Sequence, residues 1–334
     1  MRFAVALLTA TLLTCSLIAC SSEYSVPQTT SISASEVLTK LHAGADRGGA
    51  DAAATYGIYA GEPKTNMVYG YMSSGPPVCS VGPFNNLRGG DIAVDRNGDL
   101  LVIDPGTNTI TVFQGPGLCG PKLGSISNPY GTFSDVASRD GTTIVAGFYG
   151  SHPDRGGVAV CTLSAGCTRH LDAGPAGPGL VYSVAVAPNG DCWASALSVA
   201  KHSDVLLYFP RCRHNGIIAT GVENTEFGLD IDASGNLVAT AFVFTPYVLV
   251  YSGCNPACTL VGGPFPLRGN EAYAFFGHLN GRADKFVVPE GNISYGKLDV
   301  YSYSPSALTY LYSITNGITQ GLVDAAAFSP NSKE

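Results

Sequence analysis

Along most of the chain apolar and polar residues alternate with a period of two, and Gly, Asn, Asp or Pro repeatedly interrupts the alternation, the signature of short strands joined by tight turns. The stretch DIAVDRNGDLLVID, residues 91–104, shows the unit: two apolar runs hinged on an Asn-Gly pair. Four relatives follow, DVASRDGTTIVAGF from 135, SVAVAPNGDCWASA from 183, GLDIDASGNLVATA from 228 and a degraded AFFGHLNGRADKFVV from 274. Aligned on Gly98, Gly141, Gly190, Gly235 and Gly281, they are spaced by 43, 49, 45 and 46 residues. That spacing is the period of a four-stranded propeller blade. The remainder of each period supplies a third strand (ITVFQGPG, VAVCTLSAG, VLLYFPRC, VLVYSGC, LDVYSYSPS) and a fourth (CTRHL, CTLVGG, LTYLYSI).

The two ends of this region complete the ring. Residues 55–82 hold material for three strands and no inner one, while AAAFSPN near the C-terminus resembles VAVAPNG of the third repeat. The pattern therefore predicts an all-β fold: a six-bladed β-propeller over 55–332 whose N- and C-terminal strands share one blade, which hides the edges of the ring. A single short helix is expected within 34–54, where Ser33 and Glu36 have capping-box spacing and Val37, Leu38 and Leu41 form an apolar stripe.

Composition agrees with strands. Only 13% of residues are charged, and 41 Gly, 21 Pro and 17 Tyr leave few strong helix formers. The net charge of −7 carries no basic footprint for nucleic acid.

The N-terminus, MRFAVALLTATLLTCSLIAC, has the length of a signal peptide, and its end, Leu17-Ile18-Ala19-Cys20, looks like a bacterial lipobox. Residues 1–19 are read as a lipoprotein signal, and residues 20–33 as the lipidated Cys20 with a Ser-rich tether. The expected location is the outer surface of a cell membrane or the outer membrane, with the propeller outside the cytoplasm and the lipid as membrane partner. Eight cysteines follow, an even number in an oxidising compartment. Cys161 with Cys167, and Cys254 with Cys258, read as local disulfides across hairpin turns; the sequence leaves the pairing of Cys79, Cys119, Cys192 and Cys212 open.

The hairpins IAVDRNGDLLVID, VAVAPNGDCW and LDIDASGNLVAT are similar to those of the NHL and gluconolactonase-like superfamily of six-bladed propellers. The resemblance is closer still to exported bacterial lipoproteins that carry such a domain. Metal-dependent lactonases of that superfamily hold a divalent cation at the channel mouth with Glu, Asn and Asp. The resemblance thus nominates Asp91, Asp135 and Asp324 as ligands of Ca²⁺ or a similar ion. The family's Glu, Asn, Asp set is not found at matching positions. The competing reading has Asp91 and Asp135 accepting backbone N–H groups where the strands begin.

Other chemistry is weaker. Asp95, Asp232 and Asp104 sit where Asp shapes a turn. Cys161, Cys167 and His170, or Cys212 with His214, lack a complete zinc set. Gly115-Pro116-Gly117-Leu118-Cys119-Gly120 matches G-x-G-x-x-G in letters only, because Pro121 and a strand follow it instead of a helix. His152, Asp154 and Arg155 share a polar loop. With no catalytic constellation, the expectation is a binding or scaffolding module without a cofactor, its ligand a protein, peptide or glycan. The alternative is a metal-dependent hydrolase resembling the lactonases.

Overall fold

In the computed structural model the described residues are 57–318 and 325–329, excepting 73, 139, 151–155, 173–177, 199–202, 223–225, 242–245, 269–275 and 292–295. The expected signal, the tether with Cys20, the helix within 34–54, Asp324 and the loop with His152 lie outside the described residues.

Six four-stranded antiparallel sheets form the blades. Blade 1 contains β1 (Gly57–Glu62), β2 (Met67–Tyr71) and β3 (Cys79–Val81). Blade 2 runs through β4 (Ile92–Val94), β5 (Leu100–Asp104), β6 (Thr109–Phe113) and β7 (Lys122–Ser127). Blade 3 comprises β8 (Thr132–Ser138), β9 (Ile144–Tyr149), β10 (Gly157–Thr162) and β11 (Gly166–Leu171). In blade 4 are β12 (Pro178–Val186), β13 (Cys192–Ser198), β14 (Ser203–Phe209) and the short β15 (Ile217–Ile218). Blade 5 holds β16 (Glu226–Ile231), β17 (Leu237–Ala241), β18 (Tyr247–Ser252) and β19 (Thr259–Pro266). Blade 6 holds β20 (His278–Leu279), β21 (Lys285–Gly291), β22 (Gly296–Ser304) and β23 (Ala307–Ile314). The last strand, β24 (Ala325–Ser329), returns to pair with β1, Ile58 opposite Phe328, and supplies the inner strand that blade 1 lacked. The ring therefore closes as the two ends of the sequence imply.

Burial explains the strand sequences. The second strand of a blade is covered on both faces by its neighbours, so β5 (LLVID) and β17 (LVATA) are buried at every position. The fourth strand faces solvent, and β7 (KLGSIS) and β11 (GCTRHL) are mostly exposed. Six apolar clusters fill the interfaces, each shared by two adjacent blades; Ile58, Phe328, Val287 and Leu298, for example, join blade 1 to blade 6.

Four disulfides add covalent ties, and disulfides of this number belong to an oxidising, extracytoplasmic environment. Cys161–Cys167 and Cys254–Cys258 are local. The pairs that the sequence left open are Cys79–Cys119, which bridges blades 1 and 2, and Cys192–Cys212, within blade 4. No thiolate of these eight is therefore left for zinc. No helix among the described residues is long and apolar enough to cross a membrane.

One repeat is corrected. Gly98, Gly141, Gly190 and Gly235 all adopt positive φ in the inner hairpin turns, but Gly281 does not. In blade 6 the turn is built by Asn280, whose Oδ1 accepts the backbone N–H of Asp284 and Lys285, as Asp232 Oδ1 accepts Ser234 and Asn236 in blade 5. The left-handed residue three positions on is Ala283, at φ 52°. Blade 6 is thus two residues out of register with an alignment made on its glycine.

Candidate functional site: the central channel

The inner strands enclose a cavity of about 880 Å³, lined by residues of all six blades, among them Ala93, Ala137, Ala185, Asp230, His278 and Ala327. Because side chains alternate along a strand, successive residues of an inner strand face the two neighbouring blades, Ile92 towards blade 1 and Ala93 towards blade 3, and its backbone edge faces the channel. Strand pairing sets the layers. Ala93 lies opposite Leu101, Asp230 opposite Val238 and His278 opposite Val287, so these three occupy equivalent positions. Asp91, Asp135 and Ser183 belong to the layer two residues earlier, nearer the loops that lead into the inner strands.

These two layers hold a buried polar cluster. His278 Nε2 stands 3.2 Å from Asp91 Oδ2, across the channel from blade 6 to blade 2, and its Nδ1 stands 3.7 Å from Asp230 Oδ2 of blade 5. Asp91 is fully buried and Asp135 is 1% exposed. Asp135 receives the backbone N–H of Val136 at Oδ1 (2.6 Å) and that of Val184, on the next blade, at Oδ2. The same device recurs around the ring: Ser183 Oγ accepts Leu229 N–H at 3.0 Å, and Asp230 Oδ2 accepts Leu279 N–H at 2.7 Å. Inner strands have a free inward edge, and a polar side chain from the preceding blade satisfies it.

Burial and neighbouring charge act together on this cluster. Burial pushes the Asp135 carboxyl well above the ordinary carboxylate range, and the neighbouring Asp91 pushes it further, against smaller opposing effects of Ser183 and His278. Asp135 is thus biased towards its neutral form, and Asp91 Oδ1 is buried with no hydrogen-bond partner among the described residues. Burial alone would lower His278; Asp91 and Asp230 outweigh it and hold the imidazole well above its ordinary value, as imidazolium.

Of the nominated metal residues, Asp91 and Asp135 do meet, while Asp324 lies outside the described residues. Their donors do not fit a hard divalent ion, which requires several free oxygens around one point. Both Asp135 oxygens are engaged by N–H groups, and Asp91 Oδ2 faces a cation. Among the described residues no group of three or more His, Cys, Asp or Glu has metal-holding geometry. The reading of Asp135 as an acceptor of backbone N–H describes its geometry; Asp91 instead pairs with an imidazole. Asp230 and His278 went unnoticed in the sequence. The available signal was a polar residue at a position of an apolar run that faces the next blade, and for His278 the misplaced turn at Gly281 hid it.

The remaining acids are turn builders. Asp95 Oδ1 accepts the N–H groups of Asn97 and Asp99, both at 2.9 Å. Asp104 accepts Asn86 and Gly106 at Oδ1 and Asn85 at Oδ2, which ties the crossover 82–90 to the end of β5. His170 Nε2 stands 3.2 Å from Asp172 Oδ1, and its ring packs against Tyr130 and Phe148. Gly115 of the G-x-G-x-x-G stretch lies in a turn between β6 and β7 and donates its N–H to Asp99 Oδ1 at 2.7 Å.

The class these features define is a disulfide-tied, six-bladed β-propeller whose channel carries a buried cluster of carboxyl groups around one imidazole. No protein family and no curated protein matches the chain in sequence. Solved structures match it in fold. One is a protein of unknown function from Bacteroides caccae, 9% identical, with a TM-score of 0.55 over 82% of this chain and 98% of that one. Another, a functionally unknown protein from Desulfotomaculum acetoxidans, is 11% identical with a TM-score of 0.51 over 81% and 83% of the two chains. A crystal structure of a nidogen/laminin complex contains a chain 12% identical, with a TM-score of 0.56 over 83% and 98%. At such identities the likeness is one of fold.

Proposed function

We propose that the protein is a lipid-anchored propeller of the bacterial envelope that binds or scaffolds a partner outside the cytoplasm, with residues 20–33 as tether and Cys20 as the lipid attachment point. The observation that carries the binding reading is the channel. Its buried carboxyl groups are engaged by backbone N–H groups and by His278, while a cavity of about 880 Å³ is open to a ligand. The cysteine pairing supports the anchor: all eight cysteines after Cys20 are consumed in disulfides, which leaves Cys20 without a partner in the mature chain.

Fractionation of cells expressing the protein or its Cys20→Ala variant tests the anchor. The native protein is expected in the membrane with an acylated N-terminus, and the variant in the soluble fraction. Equal membrane retention of the two would reject lipid anchoring. Metal analysis and lactone hydrolysis with and without a chelator test the binding reading: stoichiometric metal with chelator-sensitive turnover would replace it with a hydrolase.

A further inference from the structure

The face of the ring that carries the inner hairpin turns gathers positive charge that the buried cluster does not use. Arg96 stands in the inner turn of blade 2, Arg169 on β11 of blade 3, and Arg211 and Arg213 flank Cys212 in the turn after β14 of blade 4. All four line the same cavity. None of them takes part in an ion pair among the described residues. The three aspartates lining the cavity, Asp95, Asp140 and Asp230, spend oxygens on the backbone N–H groups of hairpin turns and inner strands. Four unpaired guanidinium groups thus converge on one concavity of a chain whose net charge is −7.

Their placement is built rather than incidental. Cys212 is tied by its disulfide to Cys192 at the start of β13, and Arg211 N–H donates to Asp191 Oδ1 at 2.7 Å. Arg169 Nη1 donates to the Cys212 carbonyl at 3.3 Å, which sets the blade 3 guanidinium against the blade 4 turn. Arg211 and Cys212 have φ of 50° and 45°, a backbone conformation that side-chain-bearing residues hold only where the surroundings enforce it. A turn that sets several arginines at one cavity, with the Asp191 carboxylate beside it taken up by a backbone N–H, is complementary to an incoming anion.

We infer that this cavity binds a small organic polyanion with at least two carboxylate or phosphate groups. Arg169, Arg211 and Arg213 grip one end by forked N–H···O pairs and Arg96 faces the other. Guanidinium forks match the oxygen pairs of either group, and the cavity volume falls in the range of small-molecule sites. The inference rests on the reading of the chain as a binding module and is independent of its anchor.

Titration calorimetry of the full-length protein in detergent, with citrate and with inorganic pyrophosphate as probes and glucose as neutral control, tests it. At least one probe is expected to bind with Kd below about 1 mM and to weaken about tenfold in Arg169→Gln and in Arg213→Gln, but not in Arg88→Gln on a distant crossover. Citrate alone would mark a carboxylate site, pyrophosphate alone a phosphate site, and both a general oxyanion site. Absence of binding by either probe overturns the inference, as does an affinity unchanged in both cavity variants, which would mean an adventitious ion only. Thermal melts of each variant separate lost binding from lost folding. A negative result with Cys20-dependent membrane retention intact rejects the anion site and leaves the anchor standing.

Discussion

Replacing His278 with Asn removes the imidazolium that faces Asp91 and Asp230 and leaves a fully buried carboxylate without its cation. At an effective dielectric constant of about 20, a unit charge pair at the observed 3.2 Å is worth roughly 5 kcal/mol. The desolvated imidazolium offsets part of that in the native protein, and breaking a buried pair typically costs about 3–5 kcal/mol. His278→Asn is therefore expected to destabilise the domain by about that amount near pH 6. The sign with pH follows from the raised native value of His278: its contribution is fully present below the unfolded value of about 6.5 and is lost as pH rises through the native value. The deficit of the variant should accordingly shrink in alkaline buffer. Asp91→Asn/His278→Asn removes both charges at once and should recover a large share, with a coupling of at least about 2 kcal/mol in the double-mutant cycle. Urea unfolding with the disulfides intact, at pH 6 and pH 9, measures all of this. An additive cycle, or a single-variant loss under about 1 kcal/mol at pH 6, would show that the cluster is not held by charge.

Three further outcomes are expected. Burial pushes the Asp95 carboxyl up to about 6, against its backbone N–H donors, so native Asp95 lowers stability as pH climbs from about 4 to about 6, by at most roughly 3 kcal/mol. Asp95→Asn keeps the acceptor, as Asn280 does in blade 6, and should flatten that slope and raise the melting temperature at pH 7; parallel pH profiles would sink the argument. In the G-x-G-x-x-G stretch, a Cβ at Gly115 would run into the Gly98 carbonyl and one at Gly120 into that of Gln114, whereas Gly117 has nothing within 4 Å. Alanine at 115 or 120 should therefore depress the melting temperature sharply and alanine at 117 hardly at all, and a strong effect at 117 would contradict the turn reading. Loss of Cys79–Cys119, which closes 40 residues across the seam between blades 1 and 2, should cost about 4 kcal/mol by loop entropy, against about 2 for Cys254–Cys258, which closes 4. Denaturation of the two double-serine variants checks the order.

The fold was legible because every blade repeats the same local chemistry. Second strands buried on both faces read as apolar runs, and the inner turns of blades 2 and 5 set an Asp acceptor at the bend three positions before a left-handed glycine. Asp95 and Asp232 could be assigned to structure for the same reason, since the turn itself consumes their oxygens. Disulfides between neighbouring blades were not legible. Cys79 and Cys119 are brought together by the packing of one blade on the next, and nothing local in either segment encodes that approach.

The channel was half legible, and the reason lies in what a turn actually requires. Gly98, Gly190 and Gly235 suit a left-handed position because they lack a Cβ, so glycine is a sound marker there. In blade 6 Ala283 takes that conformation and Asn280 makes the bend, so the nearby Gly281 marks nothing, and alignment on it shifts the whole inner strand by two residues. A shift of two preserves the alternation and so leaves no trace in the hydrophobic pattern. It nevertheless moves His278 from an inner-strand position equivalent to Asp230 to the bend, where a polar residue is unremarkable. Alignment on the acceptor instead of the glycine restores His278 beside Asp230, opposite Asp91. In blade 6 the hydrogen-bonding role of the turn is thus the register mark that holds, because Asn280 takes the place of Asp95 and Asp232 while Gly281 leaves the left-handed position to Ala283.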